Sequence, residues 1–181
     1  NKPKDAMLLV DEAYIHFSEA PSAVKLMNGR TDIIVMRTFS KLFGMAGVRL
    51  GLTFADPAVN KRIQLFGPSS GGLSITAMAC GKAVYTQADM IKARRQEMIG
   101  NRDETIAYLT KKGIEVQPGS QANMFMVNWK KPAKEMQAAM AAEKIQIGRN
   151  WPIWPNVSRV TVGSADDMAK DGSGNKTAKG P

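Results

Sequence analysis

The stretch Arg37-Thr38-Phe39-Ser40-Lys41-Leu42-Phe43-Gly44-Met45-Ala46-Gly47-Val48-Arg49-Leu50-Gly51 constrains the fold more than any other part of this 181-residue chain. An apolar run, Ile33-Ile34-Val35-Met36, leads into it and reads as a buried strand. Hydroxyls at Thr38 and Ser40, an amine at Lys41 and a turn rich in small residues come next, and Arg49 lies eight residues beyond the lysine. Upstream, a second apolar run, Met7-Leu8-Leu9-Val10, ends in Asp11-Glu12-Ala13-Tyr14. Two buried strands that each end in polar residues place one site at the carboxyl edge of a parallel sheet.

Length and charge bound what else the chain can be. It is long enough to bury a substantial core, and its 44% hydrophobic and 23% charged residues are ordinary for a globular protein. No apolar run approaches the ~18–20 residues of a membrane span, so no membrane partner is expected. The single Cys80 excludes an intramolecular disulfide and a cysteine-rich metal site, and no metal is expected. A lone cysteine fits a reducing, cytoplasmic setting. The chain opens at Asn1 and enters a strand within a few residues, which predicts a start in mid-domain. The net charge of +9 is spread, with ten basic against seven acidic residues in 1–90 and fifteen against nine in 91–181. Arg94, Arg95 and Arg102 alternate with Glu97, Asp103 and Glu104, the pattern of a solvated helix face, and no nucleic-acid recognition motif accompanies the charge.

Further along, 15–31 reads as a polar connection with one short helix, and 48–54 as a third strand. Asp56-Pro57 starts a helix running to Leu65 or Phe66, an acid cap followed by proline at the first helical position. A flexible loop is expected over 67–72. A helix follows over 74–86, where Ala77, Ala79 and Gly81 permit close packing. A long helix over 88–112 should stop at Gly113 through a left-handed cap. Strands are expected at 114–116 and 124–127, a helix over 132–144, and short strands at 145–147 and 160–162 around a Trp-Pro-Ile-Trp-Pro loop. A boundary near residue 90 divides the end of an α/β domain (1–90) from a compact α+β domain (91–168), and 169–181, without apolar periodicity, reads as a disordered tail.

Taken alone, several of these residues have ordinary explanations. A strand-end aspartate such as Asp11 often caps the following turn, Thr38 and Ser40 can satisfy turn backbone, and Arg49 and Arg159 fit exposed strand positions. Lys41 differs, since a strand meeting a glycine-rich turn desolvates an amine and suits a Schiff-base lysine. His16, the only histidine, has no acid or cysteine partner in a known motif and reads as packing. Trp151 and Trp154, beside prolines, read as loop packing.

Together the lysine segment and Asp11-Glu12-Ala13-Tyr14 resemble the pyridoxal-phosphate (PLP) enzymes of the aspartate-aminotransferase fold, and most closely the histidinol-phosphate aminotransferase branch. The resemblance implies an α/β fold: the C-terminal part of a PLP-transferase large domain, a mostly parallel sheet with helices, followed by a small α+β domain. It implies that Lys41 carries pyridoxal 5'-phosphate as a Schiff base and then moves the Cα proton. It matches Asp11 to the carboxylate on the pyridine nitrogen, Tyr14 to the hydroxyl on the phenolic oxygen, and Thr38, Ser40 and Arg49 to the phosphate cup. Arg159, in Ser158-Arg159-Val160-Thr161-Val162-Gly163, matches the arginine that grips the substrate α-carboxylate. Glu12 matches a common family residue without an assigned role.

The implied reaction is amino transfer between an amino acid or amino-phosphate and a 2-oxo acid, in a homodimer when full length. Tyr14 favours this over the acyl transfer of relatives with histidine there. A same-fold PLP decarboxylase or lyase, and a non-catalytic fragment or effector-binding module of that fold, are the alternatives. The resemblance covers about 5–168 and only the second half of the family's chain. The N-terminal arm, the glycine-rich phosphate turn, the ring-stacking aromatic and an asparagine on the phenolic oxygen are not in this stretch. The chain as given is therefore expected to bind PLP weakly and turn over slowly or not at all. The family pattern continues past Met168 as an amphipathic helix, from which this sequence departs.

Overall fold

The computed structural model describes residues 2–67 and 72–169. Residues 68–71 of the expected loop and 170–181 of the expected tail lie outside the described residues. Contacts divide the chain into two compact units, Asn1–Arg94 and Arg95–Pro181.

The first unit holds a three-stranded sheet, β1 (Leu8–Asp11), β2 (Ile33–Thr38) and β3 (Gly51–Phe54), in the order β1-β2-β3. β1 and β2 are parallel, with Asp11 opposite Met36, whereas β2 and β3 are antiparallel, with Thr38 opposite Gly51. Ile33 and Val35 on the central strand are fully buried, as their β-branched run requires. β1 corrects the expectation of a second buried strand: it is an edge strand, and Leu8 and Leu9 are 38% and 57% exposed. The third strand is also shorter than expected. Residues Ala46–Val48 form a 3-10 turn and Arg49 is left-handed, so the chain becomes extended only at Gly51.

The connection after β1 contains two 3-10 turns, Ile15–Phe17 and Ala23–Leu26, where one short helix was expected. Helix α1 (Pro57–Gln64) starts as the sequence indicates, with the Asp56 side chain accepting from the Ala58 amide. Helix α2 (Ile75–Tyr85) is capped by Ser74 and buries Ala77 and Gly81, four residues apart on one face. Ala79 faces away and is exposed. A methyl group at Gly81 would come within 2.3 Å of Leu50 Cδ2, so the missing side chain is what lets this helix approach the core of Phe39, Phe43, Leu50 and Ala77.

Helix α3 (Ala88–Lys111) crosses the division between the units and ends at Gly113, φ 77°, with the Ile114 amide donating back to Leu109 O. Its expected solvated arginine face needs correcting. Arg102 is buried, paired with Asp103 at 2.8 Å and donating to Ala122 O.

The second unit continues with β4 (Glu115–Val116), β5 (Met124–Asn128), α4 (Ala133–Ala142), β6 (Asn150–Trp151), β7 (Trp154–Thr161) and the short α5 (Ala165–Ala169). Its sheet has the order β4-β5-β7-β6, with every neighbouring pair antiparallel. Alternation along β5 buries Phe125 and Val127, which pack with Val162 and Met168. Residues 145–147 do not form the expected strand. The Ile145 amide closes the end of α4 on Met140 O, and Ile147 O accepts from Gln137 Nε2, which leaves no ladder for them to join. The tryptophan–proline segment is instead a hairpin between β6 and β7, with Trp151 opposite Trp154 and the rings edge-to-face at 5.9 Å. Pro155 falls at the register shift of that hairpin, where a missing N–H costs no ladder bond. Among the described residues no helix is long and apolar enough to cross a membrane.

Candidate active site

In a parallel pair, equivalent strand ends reach the same sheet edge. β1 and β2 therefore deliver the segments after Asp11 and after Thr38 side by side, and the Glu12 amide still donates to Met36 O at 2.8 Å. Asp11 is exposed, and its Oδ1 accepts from the Ala13 amide at 3.0 Å, which turns the chain toward Tyr14. Tyr14 is half-buried beside Phe17, ring centroids 6.2 Å apart.

At the end of β2, Thr38 Oγ1 donates to Ser40 Oγ at 2.9 Å and accepts from the Ser40 amide at 3.0 Å, so both hydroxyls shape the turn as well as lining it. Buried Leu42 and Phe43 anchor the turn to the core. The Gly44 amide closes onto Lys41 O, and Gly44 takes φ 69°, a conformation glycine adopts without strain. Arg94 Nη1 donates to Phe43 O at 3.0 Å and pins the turn from α3.

Lys41 projects from this anchored turn with Nζ 5.3 Å from the centroid of the Tyr14 ring, within cation–π range. The two segments thus bring an amine and a phenol together. Lys41 is exposed, however, which corrects the expectation that the strand–turn junction alone would desolvate it. The residues around the turn bury its neighbours and leave the amine in water.

Arg49 is also exposed and sits at φ 57°, ψ 50°, a left-handed conformation that costs a non-glycine residue about 1–2 kcal/mol. Its Nη1 donates to Ala46 O at 2.8 Å, which ties the guanidinium to the turn that carries it. It is a loop residue, where the sequence alone suggested a strand.

Arg159 belongs to the second unit, on β7 opposite Met126. Its amide donates to Arg149 O, its carbonyl accepts from the Gly148 amide, and its guanidinium lies against Gly148. Its Nε is buried and has no hydrogen-bond partner among the described residues. Buried polar atoms are normally paired, so this unpaired donor sets Arg159 apart among the candidate residues.

Sequence reasoning left Glu12, Ser22 and Arg37 without roles, and the structure joins them. The Glu12 carboxylate is 6% exposed and accepts from Arg37 Nε at 2.9 Å, Ser22 Oγ at 3.0 Å and the Ala23 amide at 2.6 Å. Arg37 Nη2 donates to Ser22 Oγ at 2.6 Å and its Nη1 to the Tyr85 hydroxyl at 3.2 Å, while its guanidinium lies over the Phe54 ring. Burial alone would raise the Glu12 pKa. The Ala23 amide, the Arg37 and Ser22 hydrogen bonds and the Arg37 charge outweigh it, and the carboxyl titrates below its ordinary value. One signal was legible: a charged residue closing an apolar strand needs a buried partner.

His16 packs edge-to-face on Phe43 at 4.8 Å, and burial, reinforced by the Arg37 charge against the opposing Glu12 charge, holds its pKa below the ordinary value.

The family model described as aminotransferase class I and II matches residues 1–170. A histidinol-phosphate aminotransferase of Streptomyces avermitilis is 34% identical over 159 residues, covering 87% of this chain and 42% of that protein. An aromatic amino acid aminotransferase of Rhodococcus erythropolis is 30% identical over 149 residues, covering 81% of this chain and 39% of that protein. Among solved structures, the histidinol-phosphate aminotransferase of Sinorhizobium meliloti, in complex with pyridoxal-5'-phosphate, superposes with a TM-score of 0.83 at 23% identity, covering 93% of this chain and 47% of that one. The α/β fold expected from the sequence is thus the fold of these enzymes, and the chain spans less than half the length of each relative named here.

Proposed function

Because the chain belongs to the class I and II aminotransferases, we propose that it carries the lysine-bearing part of a site that transfers an amino group between an amino acid or amino-phosphate and a 2-oxo acid, with pyridoxal 5'-phosphate as the carrier. The observation that supports this most is the approach of Lys41 Nζ to the Tyr14 ring, 5.3 Å, from the ends of two neighbouring strands. The donor set fits such a carrier: an amine for its aldehyde, a carboxylate and a phenol for its ring, and two hydroxyls and a guanidinium for its phosphate.

When bound, the carrier supplies an electron sink for the pair left as the substrate Cα–H bond breaks. Asp11, at a strand end, would be the carboxylate facing the ring nitrogen. Tyr14 would donate to the phenolic oxygen. Thr38, Ser40 and Arg49 would hold the phosphate. Lys41 Nζ would be the amine that anchors the carrier's aldehyde, and the base that would move the substrate Cα proton. Arg159, in the second unit, would be the arginine that offers N–H donors to a substrate carboxylate. A homodimer is the assembly this reading carries.

The test is a titration of the chain with pyridoxal 5'-phosphate followed by visible absorbance, with Lys41→Ala and Asp11→Asn beside the wild type. The wild type should develop a weak, saturable signal that an amino-acid donor converts to the carrier's amine form. Lys41→Ala should abolish the signal. An unchanged signal in Lys41→Ala would move the site elsewhere.

A further inference from the structure

The candidate residues lie on two segments more than twenty residues apart in sequence: Asp11 and Tyr14 on one, Thr38, Ser40 and Lys41 on the other. β1 ends at Asp11, so the strand ladder does not reach Tyr14, and the bond from the Glu12 amide to Met36 O comes before either aromatic or amine. Past that bond, side chains continue the connection. Glu12 lies between Asp11 and Tyr14, Arg37 lies immediately before Thr38, and the two meet at 2.9 Å as a buried ion pair. Ser22, which caps the 3-10 turn Ala23–Leu26, bridges them from midway along the connection between β1 and β2.

We propose that the Glu12–Arg37 pair is the positioning device of the candidate site, holding Tyr14 against Lys41 by clamping the two segments just beyond the end of their ladder. Stability alone is a poor reason for such a pair, because replacing a buried ion pair by apolar residues is often neutral or stabilising. Registry between two segments is a better one. Each guanidinium nitrogen of Arg37 donates to a different segment: Nε to Glu12 just past β1, Nη2 to the cap at Ser22, and Nη1 to Tyr85 at the end of α2. Phe43, two residues after Lys41, meets His16, two after Tyr14, at 4.8 Å and gives the same connection an apolar counterpart. A loosened clamp frees the Tyr14 segment while the core of β2 stays packed. What the juxtaposition is for rests on the proposed function; the juxtaposition itself does not.

The experiment reads both. Nuclear Overhauser contacts between the Tyr14 ring and the Lys41 ε-methylene report the positioning without any cofactor. Borohydride trapping of pyridoxal 5'-phosphate, with peptide mapping, reports its consequence. Glu12→Gln should lose the contact and lower labelling at Lys41 about tenfold, and the double variant Glu12→Gln/Arg37→Met should lose no more than either single change. Ile33→Ala, a core variant outside the clamp, should lower stability yet keep both signals. If Glu12→Gln does not fold, Arg37→Lys, which keeps the charge and loses the fork, should still weaken the contact. A Tyr14–Lys41 contact that survives in folded Glu12→Gln or in Arg37→Lys overturns the proposal, even where the wild type is labelled at Lys41. Loss of the contact in a protein whose wild type takes no label at Lys41 upholds the clamp and sinks the pyridoxal-phosphate reading.

Discussion

A buried carboxylate and a half-buried imidazole of the first unit decide how its stability responds to acid. Glu12 and His16 both have pKa values below their ordinary ones in the folded chain. The unfolded chain therefore binds more protons, and stability is present above the unfolded values, about 6.5 for histidine and 4.3 for glutamate, and is lost as pH falls through the folded ones. Melting temperature should decline in two stages on acidification. His16→Gln should remove the upper stage, and Glu12→Gln should remove much of the lower. The half-buried Asp32, held low chiefly by its bond from Arg30 and also by Lys2, keeps a share of that lower stage. At neutral pH, Glu12→Gln should cost about 3 kcal/mol, since it leaves Arg37 partly uncompensated; a cost below about 0.5 kcal/mol in denaturant unfolding would contradict the buried pair. Arg159 makes its own prediction: addition of a simple 2-oxo acid should shift the Arg159 Nε–H resonance, and an unshifted resonance would mean that no carboxylate reaches it. At this scale the sequence was legible where neighbours in the chain decide, as in the turn that Thr38 and Ser40 shape. It was silent where a use depends on a distant partner, as with Glu12, Ser22 and Arg37.

Elements were legible where local chemistry sets them. The cap at Asp56 and the stop at Gly113 both lie where residue type and position indicate. Gly113→Ala should cost about 1 kcal/mol, because alanine resists the left-handed conformation that ends α3, and a stabilised variant would show that the cap does not carry that turn. Misreadings came where long-range partners decide. Residues 145–147 have a strand's composition, but the close of α4 and the Gln137 side chain take the groups a ladder would need. Arg102 has the look of a surface residue, and Asp103 with the Ala122 carbonyl draws it inward. The run Met7-Leu8-Leu9-Val10 reads as buried from composition, whereas its burial depends on a neighbour on the far side of β1.

At the scale of the molecule, the chain matches less than half of each named relative and leaves apolar side chains in water on the first unit. Leu9 is 57% exposed and Phe66 90%. An edge strand carrying Leu9, and Phe66 just past α1, invite association. Leu9→Lys with Phe66→Lys should therefore raise the concentration at which the chain stays soluble without lowering its melting temperature; unchanged solubility would place the association elsewhere. The central claim, that Lys41 is the amine that holds the carrier, is tested most directly by borohydride reduction in the presence of pyridoxal 5'-phosphate followed by peptide mapping. The account predicts a phosphopyridoxyl group on Lys41, absent from Lys41→Arg, in preference to the other lysines of the chain. Labelling spread evenly over surface lysines, or concentrated on a different one, would contradict it.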